Sequence, residues 1–208
     1  MHQNETRIMK SEKEKMISGK PYKASDQELI NERQYAKELV FDFNSLRPDE
    51  LEKRNEVLKK LLGKTKNNFY VEPPFRCDYG YNIQIGEKFY ANYNLIILDC
   101  AKVIIGDNVL IGPNVSIFAA GHPLHHERRN QEYEYAFPIN IGHNVWIGGN
   151  VVINPGITIG DNSVIGSGSI ITKDIPGNVI AKGNPCKVLR EITEGDKLNY
   201  YKNLKFEE

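Results

Sequence analysis

The sequence predicts a three-sided parallel β-solenoid, and two observations predict it. Ile141, Ile147, Ile153, Ile159, Ile165 and Ile171 stand six residues apart without interruption, and Asn, Asp and Gly recur at a fixed phase between them, as in IGHN, IGGN and IGDN. A period of six keeps the two-residue alternation of a strand and then adds a corner at one place, so each unit is a short strand plus a turn. Residues that accept positive φ mark the corners. The isoleucines point inward, each worth roughly 1.5–3 kcal/mol when fully buried. Three such sides close a coil of about eighteen residues, which cannot bury its own interior and must stack on others. An ordinary β-sandwich would instead space its turn signals roughly 8–12 residues apart.

Length and composition bound the rest. A chain of 208 residues makes one sizeable domain and an appendage. With 27 basic and 27 acidic residues, no long-range field favours nucleic acid or an anionic membrane, so any anion must be met by a local cluster. Cys77, Cys100 and Cys186 are too few and too oddly counted for a disulfide framework and fit reduced thiols in a cytoplasm. The opening MHQNETRIMKSEKEK lacks an apolar signal region, and no apolar run is long enough to span a bilayer, so neither export nor membrane insertion is expected.

Taken in order, residues 1–10 are polar and expected to fray. SEKEKMISG predicts a short helix stopped at Gly19, and PYKAS a turn leading to a cap at Ser25 or Asp26. A second helix then runs to about Phe43, with Leu29, Ala36, Leu39, Val40 and Phe43 on one face. A third starts near Pro48, with Leu51, Leu58, Leu61 and Leu62 as its stripe and Gly63 as its stop. From NNFYVEPPF onward the texture is β-like. Ile85 lies twenty residues before Ile105, so one coil carries about two extra residues. From Ala119 to Pro138 the repeat stops, and a long excursion from a rigid solenoid is a usual home for function. The repeat resumes at Ile139 and fades after Lys173-Asp174, leaving a tail of mixed charge and aromatics that packs on the solenoid or on a neighbour. The division expected is a helical segment at 1–70, a solenoid at 71–190 with its loop at 119–138, and a tail at 191–208.

The phrase GHPLHHERR, followed by FPINIGHNVWIGGNVVINPGITIGDNSVIGSGSIITKDIP and GNPCKVLREI, closely resembles the maltose and galactoside O-acetyltransferase family. The N-terminal helices, VEPPF, DYGYNI and FYANYN extend the resemblance over nearly the whole chain. It implies a left-handed parallel β-helix, although the general rule for parallel crossovers favours the right hand. It also implies transfer of acetyl from acetyl-CoA to a sugar hydroxyl without a metal, by a homotrimer with active sites between subunits.

The same resemblance assigns residues. His122, the first histidine of the loop, corresponds to the catalytic base: a sugar hydroxyl is a poor nucleophile near neutral pH, and an imidazole can take its proton during direct attack on the thioester. His125 and His126 shape the loop or face the acceptor. The backbone N–H of Gly149 corresponds to the donor that meets the tetrahedral oxyanion, a contribution of roughly 3 kcal/mol in such sites. The pantetheine arm is expected beside Trp146, Gly149, Ser167, Thr172 and Lys173, with Lys187 and Arg190 meeting the phosphates. About five coils give a prism roughly 25 Å tall, similar to the reach of that arm. Asp78, Asn92 and Asp99 are the acceptor-binding candidates, with Tyr79, Tyr90 or Tyr93 to cover a sugar face. Galactoside enzymes carry Ser where Asp78 stands, Asp where Cys100 stands and an acid near Ala24, which leaves maltose, glucose or another alcohol open as acceptor.

Three competing readings stand beside this one. A drug hydroxyl could replace the sugar. A metal enzyme similar to the γ-type carbonic anhydrases would use HPLHH to bind zinc. A non-catalytic scaffold would bind no coenzyme A.

Overall fold

The computed structural model describes residues 10–207. The expectation of a frayed start at residues 1–10 therefore falls, apart from Lys10, outside the described residues. Three helices come first: α1 (Glu12–Ile17), α2 (Gln27–Ser45) and α3 (Leu51–Leu61). Ser11 and Glu14 form a capping box at the head of α1, and Asp26 caps α2 by accepting from the Glu28 N–H. Leu29, Ala36, Val40 and Phe43 of α2 are buried as the pattern requires. α3 differs from expectation at two places. Leu51 is exposed, because it starts the helix beyond the covered surface, and Arg54 takes the buried place instead. The Arg54 guanidinium lies over the rings of Phe43 and Tyr70 and donates to the Val71 carbonyl at 2.8 Å. Asn44 of α2 bonds both backbone groups of Phe75, at 2.8 and 2.9 Å. The helices thus close the open end of the solenoid and meet its unpaired backbone.

The solenoid has three faces of parallel strands. The first holds residues 69–71, 89–91, 110–111, 146–147, 164–165 and 179–182, and the second 75–77, 95–98, 116–118, 152–153 and 170–171. The third holds 83–85, 103–105, 139–141 and 158–159, extended by a bridge from Ile159 to Ile175. The coil therefore continues past Lys173-Asp174, where the isoleucine repeat fades, because Ile175, Val179 and Ala181 still fill inward positions. Residues 187–191 then turn back antiparallel on 179–182 and end the first face.

The edges between faces are unequal. From the first face to the second, successive inward residues are always six apart: Val71 to Cys77, Ala91 to Ile97, Ile111 to Ile117, Ile147 to Ile153, Ile165 to Ile171. From the third back to the first the spacing is again six throughout, as in Ile141 to Ile147. Across the remaining edge, from second face to third, it is eight (Cys77 to Ile85), eight (Ile97 to Ile105), twenty-four (Ile117 to Ile141), six (Ile153 to Ile159) and four (Ile171 to Ile175). All length variation in the prism falls on this one edge.

Regular edges are built by asparagine. Asn108, Asn144, Asn162 and Asn178 have φ between 55 and 59°, and their side chains donate along the stack at 3.2, 2.9 and 2.9 Å. The glycines of the IG pairs serve a different purpose from the corner role read in the sequence. A Cβ on Gly142 would stand 2.8 Å from the Asp161 backbone nitrogen, so glycine there lets one coil approach the next.

Candidate active site

The variable edge collects the titratable side chains. Asp78 and Asp99 lie in its two eight-residue corners, where the two extra residues of each coil free the backbone to turn round a carboxylate. Asp99 is fully buried, and its Oδ1 accepts from the N–H groups of Asp78 and Tyr79 at 3.0 and 2.9 Å. Its Oδ2 has no partner among the described residues. Burial pushes the Asp99 carboxyl up to about 6, against the pull of those N–H donors. Asp78 is less buried, and its carboxyl is also raised by burial; the Cys100 thiol donates to its Oδ2 at 3.4 Å. Burial holds the Cys100 thiol far above its ordinary range, so Cys100 is a neutral S–H donor.

Around this pair stand residues that no sequence signal singled out. Tyr22, fully buried, lies beside Cys100 and donates its hydroxyl proton to Glu134 Oε2 at 2.7 Å. Arg33 donates to the Tyr79 hydroxyl and to the Ala24 carbonyl, both at 2.6 Å. The segment PYKAS, read as a turn, supplies a strand at Tyr22–Lys23 that pairs antiparallel with 133–134. Strand 133–136 pairs in turn with 120–121. The N-terminal segment thereby clamps both ends of the excursion.

That excursion is not formless: residues 126–130 make a short helix, and Arg129 ties the tip by donating to the Pro123 and Leu124 carbonyls at 3.1 and 3.0 Å. His122 is exposed just beyond strand 120–121. His125 and His126 stack on each other with centroids 4.7 Å apart. Among the described residues, no group of three His, Cys, Asp or Glu side chains is arranged to hold a metal.

The remaining candidates lie elsewhere on the prism. Asn92, Gly149 and Ser167 belong to the regular edge between first and second faces. Asn92 accepts from the Tyr93 N–H through its own side chain at 2.8 Å. The two regular edges can be compared corner by corner. On the other one, the N–H groups of Asp107 and His143 are received by His143 Nδ1 and Asp161 Oδ1 of the next coil, at 2.9 and 2.7 Å. Gly149 occupies the matching place on its edge, and its N–H, like those of Ser167 in the next coil and of Asp161 and Gly177 on the other edge, has no acceptor among the described residues. Trp146 is half-exposed on the first face between Leu110 and Val164. Thr172 and Lys173 are exposed on the variable edge, and Lys187 on the final antiparallel strand. Arg190 gives both arms of its fork to Asp196, at 2.8 and 2.7 Å, which drives the Asp196 carboxyl far down. Contact with a phosphate therefore competes with that pair. Of the tyrosines, Tyr79 is buried, Tyr90 stacks on Tyr70 and Tyr93 is exposed.

Comparison with known proteins agrees with the fold. Residues 15–66 match the maltose acetyltransferase hexapeptide capping motif, and residues 138–173 match the bacterial transferase hexapeptide of six repeats. Residues 102–121 match a hexapeptide repeat of succinyl-transferase. The chain is 53% identical to galactoside O-acetyltransferase of Escherichia coli strain K12 over 194 residues, covering 93% of this chain and 96% of that one. A galactoside acetyltransferase solved in complex with coenzyme A superposes with a TM-score of 0.93 at 51% identity, over 96% of this chain and all of that one. A maltose O-acetyltransferase from Clostridium difficile 630 gives 0.86 at 54% identity, over 89% and 99%.

Proposed function

The chain belongs to the maltose and galactoside O-acetyltransferase family, and on that premise we propose that it esterifies a sugar hydroxyl with acetyl drawn from acetyl-CoA, His122 acting as general base in direct attack on the thioester. The observation that carries the site is the unclaimed Gly149 N–H, at a corner that matches those of Asp107 and His143, whose N–H groups the next coil satisfies. An N–H held rigidly and left open suits a developing oxyanion, since it needs no reorganisation when charge appears.

Acetyl-CoA supplies the activated acyl group, and the residues present suit it. Ser167 and Thr172 offer exposed hydroxyls beside the arm's proposed path, Trp146 offers an apolar wall, and Lys173 and Lys187 offer exposed cations to the phosphates. Arg190 joins them if Asp196 yields. Asp78 and Asn92 take the acceptor, and Asp99 acts from beneath by fixing the backbone at residues 78–79.

A homotrimer with sites between subunits is part of this proposal. His122 and Asp78 stand on the variable edge, whereas Gly149, Ser167 and Asn92 stand on another edge of the same prism. Apposing unlike edges of two copies would bring these halves together. Leu124, almost wholly exposed at the loop tip beside His122, gives such a contact an apolar anchor.

The test is His122→Ala in a thiol-release assay over a panel of sugars and alcohols that includes drug hydroxyls. Turnover should fall by about 10²–10⁴-fold, while coenzyme A affinity by calorimetry stays within about twofold. Undiminished acetyl transfer by this variant would remove His122 from the mechanism.

A further inference from the structure

We propose that Asp78 and Cys100 form an acid–donor pair that sets acceptor selectivity, with Cys100 as a positioning residue that fixes which oxygen of Asp78 faces the acceptor. The inference rests on the acceptor site proposed above.

Asp78 has two oxygens and only one side-chain donor among the described residues. The Cys100 S–H reaches Oδ2 at 3.4 Å. Arg33, the cation that could otherwise claim the carboxylate, is spent on Tyr79 and Ala24 at 2.6 Å each. Tyr22, the other donor beside Cys100, has given its single proton to Glu134. Among the described residues the thiol's hydrogen bond goes to Asp78 Oδ2, and Oδ1 is left to accept from outside. From below, Asp99 Oδ1 holds the N–H groups of residues 78 and 79, so the carboxylate sits on a backbone that cannot drift. From the side, Glu134 belongs to the strand that closes the His122 loop. Small errors in the setting of Asp78 would thus be errors relative to the base.

An open oxygen on a largely buried carboxylate accepts from a hydroxyl and repels an anion. Acceptors should accordingly be neutral polyols, and sugars bearing a phosphate or carboxylate beside the acetylated hydroxyl should be excluded.

The experiment measures acceptor KM, acetyl-CoA KM and kcat for the full-length chain with glucose, maltose and a galactoside. Cys100→Ala should raise acceptor KM about tenfold and leave acetyl-CoA KM within about twofold. Cys100→Ser should recover most of the loss, and thermal melts of both verify folding. In an Asp78→Asn background, Cys100→Ala should add less than about twofold, because its partner is gone. The exchange Asp78→Ser with Cys100→Asp should regain turnover lost in either single variant and reorder the three sugars. Equal effects of Cys100→Ala in both backgrounds, or a double exchange no more active than its worse parent, would overturn the pair. If Asp78→Asn itself left acceptor KM unchanged, the acceptor site would be misplaced. If Asp78→Asn raised it and Cys100→Ala did not, only the role of Cys100 would fail.

Discussion

Two edges of this prism never change length and the third changes in almost every coil, and the contrast separates what holds the molecule up from what it does. On the constant edges, six-residue spacing lets each asparagine stand over the next and each aliphatic residue over its neighbour, so one coil's solution is repeated by all. The variable edge escapes that repetition. Freed from register, it makes room for two carboxylates, a thiol and a twenty-residue excursion, none of which a stacked corner could accommodate. A repeat protein cannot tune one corner without disturbing its neighbours unless one edge is released from the repeat.

Removing a core group is the strongest way to sharpen the contrast. Ile147 is fully buried between Ile111 and Ile165 in the first face. Ile147→Ala should cost about 2–5 kcal/mol of stability, since stacked coils cannot collapse into the space. Glu127→Ala on the excursion, where the side chain is 74% exposed, should change stability by less than about 0.5 kcal/mol. Chemical denaturation reads both, and equal losses would erase the distinction between edges.

The second prediction concerns Asp99, the point where the variable edge stores unfavourable energy. Its folded carboxyl is pushed up to about 6 by burial, from an ordinary value near 4. Between roughly pH 4 and 6 the folded chain keeps a proton that the unfolded chain has released. Stability therefore falls as pH rises through that window, and the cost is complete above it. Asp99→Asn retains an Oδ1 for both N–H groups and removes the titration. Relative to this variant, wild type should lose on the order of 2–3 kcal/mol between pH 4 and 7. Parallel stability curves for the two proteins would show that Oδ2 finds a partner when the chain is in water.

Legibility followed the same division. The isoleucine phase and the recurrence of asparagine were readable because every coil repeats them, and so were the helices, the cap of the second being narrowed to Ser25 or Asp26; the capping box at Ser11 emerged only in the structure. The extra two residues were visible as a count of twenty but could not be assigned to an edge. In the early coils the inward positions are Val71, Cys77 and Ala91, which break the isoleucine signal. The hand of the coil is not in the spacing at all; the family resemblance supplies it. Tyr22 and Glu134 touch across 112 residues, and no local pattern announces a contact between an N-terminal turn and a loop strand. Asp196 was findable, since Thr193 and Asp196 spell a capping box three residues apart. That signal lay in a segment whose composition suggested only a tail.

A smaller loss than those at Ile147 and Asp99 falls on the most regular feature. Asn144 has φ 57°, donates to Asn162 at 2.9 Å and accepts from Asn108 at 3.2 Å, all at an exposed corner. Asn144→Ala pays for a left-handed backbone that a Cβ resists and loses two solvent-facing bonds, together about 1–2 kcal/mol. Asn144→Gly loses the bonds but accepts the conformation, so it should cost less than alanine. Turnover per folded molecule should be unchanged in both, because no proposed site residue touches this edge. If glycine proved as costly as alanine, the ladder of side-chain bonds would be what holds the corner, and the backbone preference of asparagine would be incidental to it.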